Sequence, residues 1–195
     1  MMDYEQEVTM SVSLAFLGDG LVAGGQWDEW FPEHDVHNLA VSGNSTDEVI
    51  LQLDQVIQLR PDAIVIGVGT NDLGWRRSDE YVVRNLETIL YTLRRALPDT
   101  RIMVQSVLPR DRDFAATIRS INRHVWQYAP TQHVQYLDLW PALALPDGEL
   151  DPALGIDRLH LNPAGYAAWL AELKPGLEML FERPPSTTSI PIQHA

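Results

Sequence analysis

Apolar residues gather in five short runs, at 12–17, 36–41, 63–68, 102–107 and 134–137, rich in Val, Ile and Leu. Runs of this length read as buried strands. Between them the spacing becomes helical. Ser45 and Glu48 have capping-box spacing, and Val49, Leu53, Val56 and Ile57 then share one face. Ser78 opens a second helix whose stripe is Val82, Leu86, Ile89, Leu90, Leu93 and Leu97, ended by Pro98. Residues 115–128 predict a third. Asn162-Pro163 supplies an N-cap and first-turn proline for a last one, which Pro175-Gly176 is expected to kink or break. Strands alternating with helices predict an α/β fold, a three-layer α/β/α sandwich around a central, mainly parallel sheet of about five strands.

The 195 residues are 45% hydrophobic, enough for one core, and one domain is expected over 1–182. Residues 183–195 are polar and proline-rich and are expected to form a flexible C-terminal tail. The formal charge of −13 repels phosphate backbones and anionic lipid, so no nucleic-acid partner is expected. No apolar run is long enough to span a bilayer, so membrane insertion is not expected either. Residues 1–8 carry Asp3, Glu5 and Glu7 in place of a basic, then apolar, leader, which makes cytoplasmic location the default expectation. With no cysteine, disulfides, thiolate nucleophiles and Cys-bound zinc are excluded.

Ligands of open parallel sheets bind outside the carboxyl ends of the strands, so the loops there are the places to seek chemistry. After the first run stands Gly18-Asp19-Gly20-Leu21, after the second strand Asn38-Leu39-Ala40-Val41-Ser42-Gly43, after the third Gly69-Thr70-Asn71-Asp72, and before the last helix Asp157-Arg158-Leu159-His160. A carboxylate three residues before a histidine can hold one imidazole nitrogen while the other faces a cleft, as a general base requires. A solvated loop pair is the plainer alternative. Asn71 offers an amide donor and Gly43 an open backbone N–H, both suited to an oxyanion hole, although an Asx-turn and a positive-φ turn explain them equally well one at a time.

Taken together and in order, these four blocks resemble those of the SGNH hydrolase superfamily, in particular the GDSL-type lipase/acylhydrolase group, over residues 14–180. The resemblance implies a flavodoxin-like α/β/α fold and a carboxylic ester hydrolase that needs no metal or nucleotide cofactor and acts on a small-molecule ester. It implies that His160 is general base then acid, that Asp157 orients it, and that Gly43, Asn71 and the residue-20 N–H bind the oxyanion. Asp19 and Asp72 would support the turns. The chain departs from the pattern at Gly20, which stands where the family has its nucleophilic serine and cannot form an acyl-enzyme. The sequence is therefore expected to be inactive or impaired as an esterase; the alternative is a non-catalytic ligand-binding module on the same fold. Ser42 and Ser45 flank the glycine block, but the resemblance puts the nucleophile on the first turn, so neither is expected to replace it.

Three weaker signals remain. Gly18, Gly20 and Ala23 formally fit the dinucleotide fingerprint G-x-G-x-x-A, but Asp19 would set a carboxylate beside the pyrophosphate, and Asn38 falls near the place of the ribose-binding acid. His34 and His37 are expected on opposite sides of a strand and not at a shared metal. Trp75 and Arg76 directly follow the Asn71 block and are possible substrate contacts, while Arg76 and Arg77 are otherwise read as solvated. Trp27, Trp30, Trp126, Trp140 and Trp169 are expected to pack in or against the core.

Overall fold

The computed structural model describes residues 11–183, so the acidic segment at 1–8 and the tail from 184 onward lie outside the described residues. Five parallel strands, β1 (Ser13–Gly18), β2 (Asp35–Asn38), β3 (Ala63–Gly67), β4 (Arg101–Gln105) and β5 (Gln135–Leu137), form one sheet in the order β2-β1-β3-β4-β5. Their connections run through α1 (Gly20–Ala23), α2 (Trp27–Trp30), α3 (Thr46–Leu59), α4 (Thr70–Gly74), α5 (Asp79–Ala96), α6 (Ala115–Tyr128) and α7 (Trp140–Leu143), and α8 (Pro163–Glu182) follows the last strand's loops.

Side chains alternate across each strand, and both faces are covered. Ala15, Leu17, Ile64, Ile66, Ile102 and Val104 point to one layer, where the stripes of α3, α5 and α6 meet them. Leu14, Phe16, Ala63, Val65 and Met103 point to the other and meet Trp27, Leu143, Trp169, Leu173 and Leu177. This two-sided burial explains why the central strands read as unbroken apolar runs. The three long capped helices follow local chemistry: Ser45 and Glu48 close a capping box on α3, Ser78 Oγ accepts from Tyr81 N at 3.2 Å, and Asn162 Oδ1 accepts from Gly165 N at 3.0 Å.

Three sequence expectations need correction. Pro175-Gly176 does not break the last helix, which runs on to Glu182. Pro175 and Ala171 both lie on its exposed side, where water can take the carbonyl that proline leaves without a donor, while Gly176 faces the sheet. A β-carbon there would stand 3.2 Å from Leu137 and 3.3 Å from Met103, so glycine lets the helix lie close. The second apolar run is a strand only over Asp35–Asn38; beyond it Leu39 N and Val41 N still donate to the Phe16 and Gly18 carbonyls of β1 at 2.8 and 3.1 Å, and the Val41 side chain is exposed at this edge of the sheet. Trp126 is 57% exposed on α6 and packs in no core.

The strand order places the site. The chain goes from β1 outward to β2, then returns across β1 to β3, so the loops leaving β1 and β3 part at their carboxyl ends. There Gly18 pairs with Gly67 so closely that a β-carbon on Gly18 would meet the Gly67 oxygen at 2.0 Å.

Candidate active site

The first loop is built around a buried carboxylate. Asp19 caps α1, taking Leu21 N at 3.0 Å on one oxygen and the Thr70 hydroxyl at 2.9 Å on the other, which ties the β1 loop to the β3 loop. Burial pushes its carboxyl up to about 6, against the opposing pull of Thr70 and the backbone N–H groups of Leu21 and Val22. Asp19, Thr70, Gln105 and Trp169 line a cavity of about 10 Å³ beneath the turn, roughly the room one water needs.

Because the folded value lies above the ordinary 3.8, the fold favours the protonated acid. The Asp19 contribution to stability is then fully present below about pH 4 and is lost as pH rises to about 6, by up to about 3 kcal/mol. Urea titrations between pH 4 and 7 should show this fall in the native chain and not in Asp19→Asn, whose amide mimics the neutral acid. Parallel curves for the two proteins would contradict it.

The second and third loops meet through Asn71. Its Nδ2 donates to the Asn44 carbonyl at 2.8 Å, which uses one of the two amide hydrogens and leaves the other. Gly43, beside Asn44, has φ +87° with no heavy atom within 4 Å of a β-carbon position, and its N–H has no partner among the described residues. Gly20 begins α1, also with no partner for its N–H among the described residues, and faces Ser42: a β-carbon on it would lie 3.1 Å from Ser42 Oγ.

Behind Asn71, Asp72 is fully buried and accepts from Thr46 N at 2.9 Å, Thr46 Oγ1 at 2.7 Å and Arg77 Nη1 at 2.8 Å. Arg77 extends to Asp47 at 2.7 Å and to Ser45 Oγ at 2.8 Å, its guanidinium 4.9 Å from the Trp75 ring centre. The reading of Arg77 as a solvated arginine is therefore corrected, whereas Arg76 beside it is exposed. Arg110 Nη1 donates to the Thr70 carbonyl at 2.9 Å and fixes the start of α4.

In the fourth loop, Asp157 Oδ1 accepts from the backbone N–H of Leu159 and His160, both at 2.7 Å, while Oδ2 lies 2.8 Å from His160 Nδ1. The His160 N–H first, then its ring and the Leu159 N–H, bring the Asp157 carboxyl down to about 2. It is ionised at all working pH. A carboxylate on Nδ1 favours the tautomer with the proton there and the Nε2 lone pair open. The pair is open to solvent, with the His160 side chain 61% and Asp157 54% exposed. The loop is joined to the first turn through α8, where Tyr166 Oη donates to the Leu21 carbonyl at 2.8 Å.

The sequence matches the model of the GDSL-like lipase/acylhydrolase family over residues 16–168. The chain belongs to that family. Solved structures with the same GDSL-like architecture include a proposed acylhydrolase from Bacteroides fragilis, 18% identical, covering 86% of this chain and 87% of its own, with a TM-score of 0.76. A GDSL-like lipase from Bacteroides thetaiotaomicron is 22% identical, covering 85% and 87%, at 0.71. A proposed platelet activating factor from Streptococcus pneumoniae is 26% identical, covering 88% and 86%, at 0.74. These likenesses show a shared fold. No curated protein matches the sequence.

Among GDSL-like features the motif positions were readable, but the parts that hold them were not: Thr46, Thr70, Arg77 and Arg110 are ordinary residues whose partners lie up to 51 positions away. Trp75 is 56% exposed at the end of α4. His34 packs against Phe31 and Phe181, while His37 meets Asp35 at 3.1 Å. The described residues hold no group of three or more His, Cys, Asp or Glu suited to a metal. No helix among them is long and apolar enough to cross a membrane.

Proposed function

We propose that this chain carries a Ser-His-Asp-type ester hydrolase site in which glycine holds the nucleophile's place at residue 20. His160 is general base then acid, Asp157 orients it, and the N–H groups of residue 20, Gly43 and Asn71 receive the oxyanion. The observation that carries the reading is the 2.8 Å pair of Asp157 with His160 Nδ1, which leaves Nε2 as the base. The Asn71 to Asn44 and Asp19 to Thr70 bonds support it by drawing the donor loops together. The substrate is a small-molecule ester, with Trp75 as an apolar wall and Arg76 available to an anionic group. Without a hydroxyl at residue 20 the chain forms no acyl-enzyme there and turns over slowly.

Gly20 also favours a second reading, a binding module that keeps the cleft without catalysis. Kinetics in the Gly20→Ser background separate the two. Adding Asn71→Ala should lower kcat for a short aryl acetate by about 10²-fold or more, and adding His160→Ala by about 10³-fold or more. Changes under about three-fold in folded variants would support the binding module.

A further inference from the structure

We propose that the Ser42 hydroxyl positions the water that attacks the ester in this chain, in the space that a side chain at residue 20 would otherwise fill. The inference rests on the esterase reading above and names what replaces the missing nucleophile. A β-carbon built on Gly20 lies 3.1 Å from Ser42 Oγ, 3.4 Å from Ser42 Cα and 3.7 Å from Ser42 Cβ. Ser42 thus provides all the nearest neighbours of that space, and its hydroxyl is the nearest.

The two flanking serines differ in what their hydroxyls are free to do. Ser45 is fully buried, donates to Glu48, and accepts from Asp47 N at 3.3 Å and Arg77 Nη1 at 2.8 Å. Ser42 is exposed, and its hydroxyl has no partner among the described residues. One residue on, the Gly43 N–H has no partner among the described residues, so hydroxyl and proposed oxyanion donor share a turn. An ester carbonyl oxygen received by Gly43 and Asn71 would present its carbon to this space. Ser42 Oγ stands 3.1 Å from the β-carbon position of residue 20 and so borders the space a nucleophile's side chain would enter, where a hydroxyl can anchor an attacking oxygen.

In the step, the water oxygen bonds to the carbonyl carbon while His160 Nε2 takes its proton, and the carbonyl electron pair moves to the oxyanion. Collapse then breaks the carbon–oxygen bond to the alcohol, which receives the proton back from His160. Ester and water become acid and alcohol, with no covalent enzyme species. Ser42 donates or accepts one hydrogen bond to the water and stays unmodified.

The experiment compares aryl acetate hydrolysis by the native chain, Ser42→Ala, Gly20→Ser and the double variant, with His160→Ala in both backgrounds. Ser42→Ala should lower kcat of the native chain about ten-fold, with unchanged circular dichroism and melting. That penalty should shrink to about three-fold or less in the Gly20→Ser background, because the attacking oxygen is then covalently held. A structural role would give equal penalties in both, and that result overturns the proposal. So does a native chain with no turnover above solution, or a burst that mass analysis places on Ser42. If His160→Ala silences Gly20→Ser while Ser42→Ala leaves native turnover unchanged, this inference alone fails. If His160→Ala changes neither background, the esterase reading fails with it.

Discussion

Gly20→Ser is expected to raise kcat/KM for a short aryl acetate by about 10³-fold or more. On the esterase reading proposed above, the other parts need no rebuilding. The Nε2 of His160 is left free by the Asp157 pair, and Gly43 and Asn71 offer donors from loops already tied together. A hydroxyl on the β-carbon of residue 20 converts a single displacement by water, held only by hydrogen bonds, into attack by a covalently held oxygen followed by deacylation. The substitution also fits. The three atoms nearest its β-carbon all belong to Ser42, whose exposed hydroxyl can swing away, and residue 20 has no positive φ that would strain a side chain. The gain should appear in kcat more than in KM, because the added oxygen acts on the transition state. A folded variant no faster than the native chain would show that the site has diverged beyond its nucleophile.

The largest stability effect is expected from Asp72→Ala, about 3 to 5 kcal/mol. Asp72 is fully buried and takes three hydrogen bonds that hold the starts of α3 and α4 together. Alanine would leave the Thr46 N–H buried without an acceptor and the Arg77 guanidinium without its inner partner. Arg77 is 23% exposed and keeps Asp47, so it can recover some hydration, which places the loss toward the lower end. Urea midpoints read the change directly. A loss below about 1 kcal/mol would mean that this buried network contributes little. In a Gly20→Ser background the same change should also reduce kcat, since Asn71 adjoins Asp72 on α4.

The strands and capped helices were legible because they obey local rules. The centres of β1, β3 and β4, residues 14–17, 63–66 and 102–104, are apolar at every step because both faces of the sheet are covered, and Ser45, Ser78 and Asn162 cap their helices within three residues of themselves. What escaped was set by distant partners. Whether Pro175 breaks α8 depends on which side of the helix faces water, and whether Arg77 is solvated depends on Asp72 and Asp47 arriving from separate elements. Trp126 reads as core by residue type and lies exposed on the outer side of α6. The motif order in the candidate site was visible in the loops. The approach of the Ser42 hydroxyl to Gly20 was not, because it depends on how the segment after β2, still bonded to β1 through Val41, is placed beside the turn at residue 20.

The most direct test of the account is the acylation of residue 20. Gly20→Ser protein mixed rapidly with a limiting excess of aryl acetate should release a burst of about one equivalent of phenol per chain, and intact-mass and peptide analysis should place one acetyl group on residue 20. Adding His160→Ala should abolish both. A folded Gly20→Ser protein that gives no burst and carries no acetyl group on residue 20 would contradict the claim that His160, Asp157, Gly43 and Asn71 form an esterase site lacking only its nucleophile.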